Sequence, residues 1–265
     1  MKLKFLLIGT SLSLIPNITY AQCTTTPDCA AMGYTENSNK GGCLKCPVGN
    51  GWYCPEPKEE KAILGQCTGY AKNCKIADIL NSDGTCTSDK KSGKTPLGVV
   101  IYIGSDNCGY AMTASVIATN LKWSTKEVAT GIGTTPDWTT AITDFEACVN
   151  TQKIIQQGNS SEYPAAWAAV NYSPIAAPVT KGKWCLPAPG MLNSLYTNFY
   201  AINNTISKLG GKQLTHDIPV WSSSESDYFT AWAFWPGAAV CNCGVTRYVK
   251  YLNDSGSVVR PVIAF

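Results

Sequence analysis

Lys183-Trp-Cys-Leu-Pro-Ala-Pro-Gly-Met-Leu192 closes one strand and opens a helix. Pro187 has no N–H to give to a ladder, so a β run through Trp184 and Cys185 must stop there. Gly190 belongs to the same strand-to-helix turn. Two other strings punctuate the chain in a similar way. Trp221-Ser-Ser-Ser-Glu225 reads as a strand end running into a polar loop, and Val259-Arg-Pro-Val-Ile-Ala-Phe265 as a strand at the C-terminus. Trp184, Pro187, Gly190, Trp221, Glu225 and Arg260 are therefore structural candidates. None of the three strings writes a known reaction.

Outward from these strings the chain alternates periods. Val99–Ile103 and Tyr110–Val116 flank Gly104 to Gly109 as a hairpin. Thr143–Gln157 places Phe145, Cys148, Gln152 and Ile155 on one side and meets Gly158, an amphipathic helix with a glycine stop. Tyr163–Tyr172 is a shorter helical stretch started by Pro164. A long apolar stripe from Met191 to Leu209 has helical spacing and ends at Gly210-Gly211. Short β runs follow at Val220–Ser223, Ala231–Trp235, Thr246–Leu252 and Val258–Ala264, the last two joined by the hairpin signal Asn253-Asp-Ser-Gly256. Strands, then helices, then strands imply an α+β domain with a mostly antiparallel sheet and two main helices. Its terminal strands, Val99–Ile103 and Val259–Ile263, are expected to pair with each other. Arg260 lies inside an apolar strand and needs acceptors there. Glu225 is the expected partner, with backbone carbonyls as the alternative.

The first 21 residues carry Lys2 and Lys4, an apolar run from Phe5 to Ile15, and Thr19-Tyr-Ala21 before Gln22, the parts of a secretory signal peptide. No segment approaches the ~20 apolar residues of a membrane span. Cleavage after Ala21 leaves 244 of 265 residues and removes two of 21 basic side chains against 18 acidic ones, so the net charge drops from +3 to +1. Such a chain has no electrostatic footprint for nucleic acid. All 13 cysteines lie after the cut, and in an exported chain that density means disulfides. Cys23, Cys29, Cys43, Cys46, Cys54, Cys67, Cys74 and Cys86 crowd a stretch poor in Leu, Ile and Val. Residues 22–86 are expected to form a module closed internally by these eight, because so little apolar surface cannot make a core. Cys43-Leu-Lys-Cys46 also has the spacing of half a zinc knuckle or a redox pair. With no histidine nearby and a signal peptide upstream, a disulfide is the expectation. Cys241-Asn-Cys243 is expected to pair elsewhere in the domain or to supply the odd thiol. Residues 87–96 have the composition of a linker, and 97–265 form the domain with a core.

Residues 97–265 resemble the bacterial domain family named after the C-terminal domain of a collagen-like adhesin, also called the Fibrobacter succinogenes major paralogous domain. The resemblance is carried by Gly98-Val-Val-Ile-Tyr102, Trp123-Ser124, Ala165 to Tyr172, Trp184-Cys-Leu-Pro-Ala-Pro-Gly190, Leu192 to Gly211, Trp221-Ser-Ser-Ser-Glu225, Ala231-Trp232 and Val259-Arg-Pro-Val262. It implies a C-type-lectin-like fold and a secreted or surface-exposed habit, with adhesion and glycan binding in some members and no catalytic residues. The Glu-Pro-Asn, Gln-Pro-Asp and Trp-Asn-Asp triplets of calcium-dependent lectins are absent from the sequence, which argues against sugar coordination through calcium.

The residue chemistry points the same way. His216 is the one histidine in the chain, so a triad or a histidine zinc site has no second imidazole, and no cofactor or metal is expected. Of the eight tryptophans, Trp123, Trp184, Trp221 and Trp232 fall on motif positions and are expected in the core. Trp235, followed by Pro236-Gly237, leads the candidate ligand-binding residues, with Tyr228, Asn242 and Arg247. The expectation is an exported, non-enzymatic binding or adhesion protein (periplasmic, cell-surface or secreted) that meets a glycan or protein ligand outside the cell. The alternative is a structural subunit of an envelope or appendage assembly.

Overall fold

The computed structural model describes residues 61–67, 69–238, 243–251 and 256–265, with the backbone of three short strands before them. The expected signal peptide, Cys23, Cys29, Cys43, Cys46 and Asn242 lie outside the described residues, and Cys54 is described in backbone only. The chain divides into two compact units, Met1–Glu59 and Glu60–Phe265. In the first, β1 (Tyr34–Glu36), β2 (Leu44–Lys45) and β3 (Trp52–Pro55) form an antiparallel sheet ordered β1-β3-β2.

The second unit is α+β. It begins with β4 (Ile79–Asn81), β5 (Cys86–Thr87), β6 (Pro96–Ile103), β7 (Gly109–Met112) and β8 (Ala118–Thr119). Helices α1 (Trp138–Ala141), α2 (Ala147–Gln156) and α3 (Pro164–Asn171) follow, then β9 (Trp184–Cys185), α4 (Pro189–Thr197) and α5 (Phe199–Lys208). The chain closes with β10 (Val220–Glu225), β11 (Thr230–Phe234), β12 (Val245–Val249), β13 (Val258–Val259) and β14 (Val262–Ala264). One sheet is ordered β5-β4-β6-β7-β14-β9 and the other β12-β11-β10-β13-β8. Both are antiparallel apart from the β10–β13 contact, where Val220 meets Val258 in parallel.

The six-stranded sheet is buried on both faces, so β6 reads as a continuous apolar run. Val99, Ile101 and Met112 face α4 and α5 in one cluster, together with Leu192, Leu195 and Ile202. Val100 and Ala111 face the other way and are covered by Ala62, Leu64, Tyr70, Leu80, Trp184 and Phe265. That outer layer corrects the expected division of the chain. Residues 62–86 add two strands and an apolar cover to the sheet, which places them in the second unit. The expected linker is a tight return inside the same sheet: Ser82 N–H donates to the Thr95 carbonyl at 2.8 Å, and Lys94 meets Asp83 at 2.7 Å. Cys74 pairs with Cys86 locally, but Cys67 bonds to Cys108 in the β6–β7 turn, so the eight early cysteines do not all pair among themselves. Cys148–Cys185 joins α2 to β9, and Cys243 is also disulfide-bonded, so it is not the odd thiol. Replacing both Cys67 and Cys108 with serine is expected to lower stability by about 2–5 kcal/mol, read from the urea midpoint without reductant.

The terminal strand departs from expectation. Val99–Ile103 and Ile263 do share a sheet, but β7 lies between them, because the short Gly104–Cys108 turn gives β7 the inner edge of β6. Pro261 then splits the last strand, leaving Val258 and Val259 in one sheet and Val262–Ala264 in the other. The described parts of the expected hairpin, Thr246–Tyr251 and Val258–Ala264, do not pair with each other, and Leu252–Ser255 lie outside the described residues. β10, β11 and β12 form a meander, and the chain returns to the far side of β10, which leaves β12 at an edge among the described strands.

Two helical readings also change. The stripe from Met191 to Leu209 is broken at Asn198 (φ −111°), whose side chain donates to the Ser194 carbonyl. Its end is as expected: Gly211 N–H donates to Ile206 O and Gly210 N–H to Ser207 O. In α2 the buried face is Ala147, Asn150, Thr151 and Ile154, one residue away from the apolar side read in the sequence. Asn150 and Thr151 are buried because they have partners, which periodicity cannot see.

Candidate functional site

The strand that carries Trp221-Ser-Ser-Ser-Glu225 is buried along its whole length. Polar groups so placed are costly unless bonded. The irregular segment 120–137, which lies against β10 and β11, meets Trp221, the Ser222 carbonyl and Glu225, while the Ser223 hydroxyl has no partner among the described residues. Trp123 Nε1 donates to the Ser222 carbonyl at 2.8 Å, and Trp221 Nε1 to the Leu121 carbonyl at 2.7 Å. Trp232 Nε1 reaches the Thr135 carbonyl at 3.0 Å. Trp123, Trp184, Trp221 and Trp232 are all buried, each with its indole N–H donated.

Glu225 is the centre of this clamp. Its Oε1 accepts from Gly131 N–H at 2.6 Å and from the Thr134 hydroxyl, and its Oε2 accepts from Thr130 N–H at 2.9 Å. Lys250 Nζ donates to Oε2 at 2.6 Å, with both side chains fully buried. The ammonium also touches the Val128 and Tyr228 carbonyls at 3.4 Å and lies 5.0 Å from the Trp123 ring centroid. Burial pushes the Glu225 carboxyl up, but Lys250, Thr130 and Thr134 outweigh it and hold it below its ordinary value. The pair expected from sequence, Glu225 with Arg260, is not formed. Arg260 donates Nη1 to the Ala114 carbonyl at 3.0 Å and Nη2 to the Lys212 carbonyl, and burial lowers its pKa to about 10. Backbone carbonyls meet the arginine, and a lysine that sequence reasoning passed over meets the glutamate. Lys250 was hidden because it stands inside the β run Thr246–Leu252 read in the sequence, where a lysine ordinarily points to solvent; the strand in fact ends at Val249.

A second polar set flanks the first. Ser224 Oγ donates to Asp144 Oδ2 at 2.5 Å, and Asn150 Nδ2 donates to the same oxygen at 2.9 Å. Gly133 (φ +60°) passes so close that a Cβ there would stand 2.7 Å from Ser224 Cβ and 2.8 Å from Asp144 Oδ2. Gly133→Ala is expected to cost about 1–3 kcal/mol, measured by chemical denaturation, since both backbone and space refuse a side chain. Gly190 is fixed by similar crowding: its Cβ would fall 2.7 Å from the Asp144 and Ile142 carbonyls. Pro187 accepts from Ser223 N–H at 2.9 Å, which ties the strand-to-helix turn to β10.

Three of the candidate ligand-binding residues, Tyr228, Trp235 and Arg247, are described, on and around β11 and β12. Tyr228 is about half exposed, in the β10–β11 turn, its ring 3.9 Å from that of Phe229. Trp235 is partly buried and meets Tyr248 edge-on at 5.3 Å. Arg247 is exposed on β12, and its side chain leaves the opposite face from that of Tyr248. His216 is exposed, with its ring 5.0 Å from that of Phe199. The clamp can therefore hold a loop rigidly, while its two charges are consumed by each other and sealed from solvent.

No family model matches the sequence, and no curated protein does. Among solved structures, the fold is similar to that of a fimbrial protein from Bacteroides ovatus, with a TM-score of 0.54 and 14% identity. The likeness covers 72% of this chain and 49% of that one, so the chain corresponds to about half the length of that protein. No helix among the described residues is long and apolar enough to cross a membrane.

Proposed function

We propose that the protein is exported and acts at the cell exterior as a non-catalytic binding or adhesion protein. The fold likeness to a fimbrial protein carries this reading, and the disulfides of the second unit support it, since such bonds persist in oxidising compartments. The likeness is one of fold, and function does not travel with fold alone. The loop held over β10 and β11 suits binding, because a rigid scaffold presents the exposed Tyr228, Phe229 and Val128 at little entropic cost. A C-type-lectin-like kinship belongs to the same proposal and rests on the sequence strings. The fimbrial likeness also favours a second reading, a structural subunit of an appendage.

A glycan array probed with the purified mature protein tests the first reading. Specific hits that weaken when Tyr228 and Phe229 are both replaced by alanine are expected. A blank array together with ordered self-assembly would favour the subunit. Protease shaving of intact producing cells tests the location, and a protein fully protected from shaving yet released by lysis would defeat the surface assignment.

A further inference from the structure

Among the described strands β12 lies at an edge of its sheet, and its pairing with β11 fixes which way its backbone groups point from Thr246 to Val249. Trp235 N–H donates to the Gly244 carbonyl and Lys250 N–H to the Phe229 carbonyl, which fixes the alternation along the pair. Thr246 and Tyr248 therefore direct their backbone groups inward, to Ala233 and Ala231. Arg247 and Val249 direct theirs outward, where they meet no strand among the described residues. Open N–H and C=O groups on an edge are a template for another strand.

The geometry points to a second copy of this chain as the occupant, paired antiparallel along β12 about a two-fold axis through Tyr248. In that register Arg247 of each copy lies opposite Val249 of the other, and every open backbone group of these two residues is used. Shifting the axis to Arg247 sets two guanidinium groups directly opposite, which is unfavourable. Moving it towards Val245 calls on a residue that already has a partner. A charge on an edge strand ordinarily discourages pairing. Here it discourages one register and leaves another. Tyr248 then faces its own symmetry mate in a non-hydrogen-bonded pair, where side chains approach most closely. It already packs on Trp221 and Trp235, with ring centroids 5.3 Å away in each case, so the pair would extend an aromatic row across the interface. The interface is isologous, and each surface is complementary to itself.

This inference does not depend on the proposed function, and its failure would leave that reading standing. The test uses the purified full mature chain. Light scattering across a concentration series should show a monomer–dimer equilibrium, and amide exchange at Arg247 and Val249 should slow as the dimer fills. Val249→Pro should abolish the dimer with little change in thermal midpoint, because the N–H it removes faces outward. Thr246→Pro, which removes an inward donor, should destabilise the fold instead. Tyr248→Cys should give an oxidised dimer on a non-reducing gel, since directly opposed residues in such a pair stand about 4.5 Å apart at Cα, within disulfide reach. Arg247→Cys should give none. A monomer at all concentrations would overturn the proposal, as would a dimer untouched by Val249→Pro.

Discussion

Deleting Val259–Phe265 is expected to leave the second unit without a cooperative folded state. β14 is an inner strand, hydrogen-bonded to β7 on one side and β9 on the other. Its loss separates β9 from the sheet and uncovers both apolar clusters that meet there. Val259, Val262, Ile263 and Phe265 are each fully buried. At about 1.5–3 kcal/mol per side chain the loss is on the order of 6–12 kcal/mol, comparable to the whole stability of a domain. Near-UV circular dichroism and a thermal scan provide the measurement. A truncated protein that kept a sharp transition would mean that the C-terminal residues only decorate the fold.

Lys250→Met is expected to cost about 3–5 kcal/mol, the penalty for leaving a buried carboxylate without its cation. Glu225→Gln should cost a similar amount, for the converse reason. The double replacement should be milder than the sum, yet not neutral. Thr130 N–H, Gly131 N–H and the Thr134 hydroxyl would still converge on the site, and an amide with one oxygen cannot receive what two carboxylate oxygens receive. A double-mutant cycle by urea denaturation gives the coupling. The sign of the pH effect follows from the lowered Glu225 pKa. The unfolded carboxyl, near 4.5, binds its proton at higher pH than the folded one. The contribution is therefore complete above about pH 4.5 and is lost as the pH falls through the lower folded value. Lys250→Met should blunt that acid dependence, because the lysine is the strongest influence holding the carboxyl down. Equal stability for parent and Lys250→Met, at neutral and acid pH alike, would refute this account.

The sequence made some features plain and concealed others for physical reasons. Trp184, Trp221 and Trp232 could be placed in the core because large aromatics next to strand punctuation have few other uses. The β6–β7 hairpin was legible because its turn is local. Strand partners across the sheets were not. The identity of a neighbour is set by which edge is still open, and apolar content does not encode that. The tail from Ala62 to Leu80 looked too poor in aliphatic residues to belong to a core, and on its own it is. It is buried because β6 presents a second apolar face for it to cover. Arg260 and Glu225 were correctly read as buried groups needing partners, but wrongly matched to each other. Trp235 and Arg247 read alike as surface chemistry, yet the strand register sends them to opposite faces of the sheet.

The clamp around Glu225 has a bearing on the order in which the chain folds. The bonds from Glu225 to Thr130, Gly131 and Thr134, and those of Trp123, Trp221 and Trp232, span 91 to 100 residues of sequence each. Closing one such loop has a large entropic cost, and that cost grows only slowly with length. Once a single contact of the set has formed, the rest lie within reach, and each adds its hydrogen bond for little further loss of freedom. Segment 120–137 is therefore expected to dock cooperatively. While the chain is being synthesised, it must wait for β10 and Lys250, both made about a hundred residues later, and it then closes as one event.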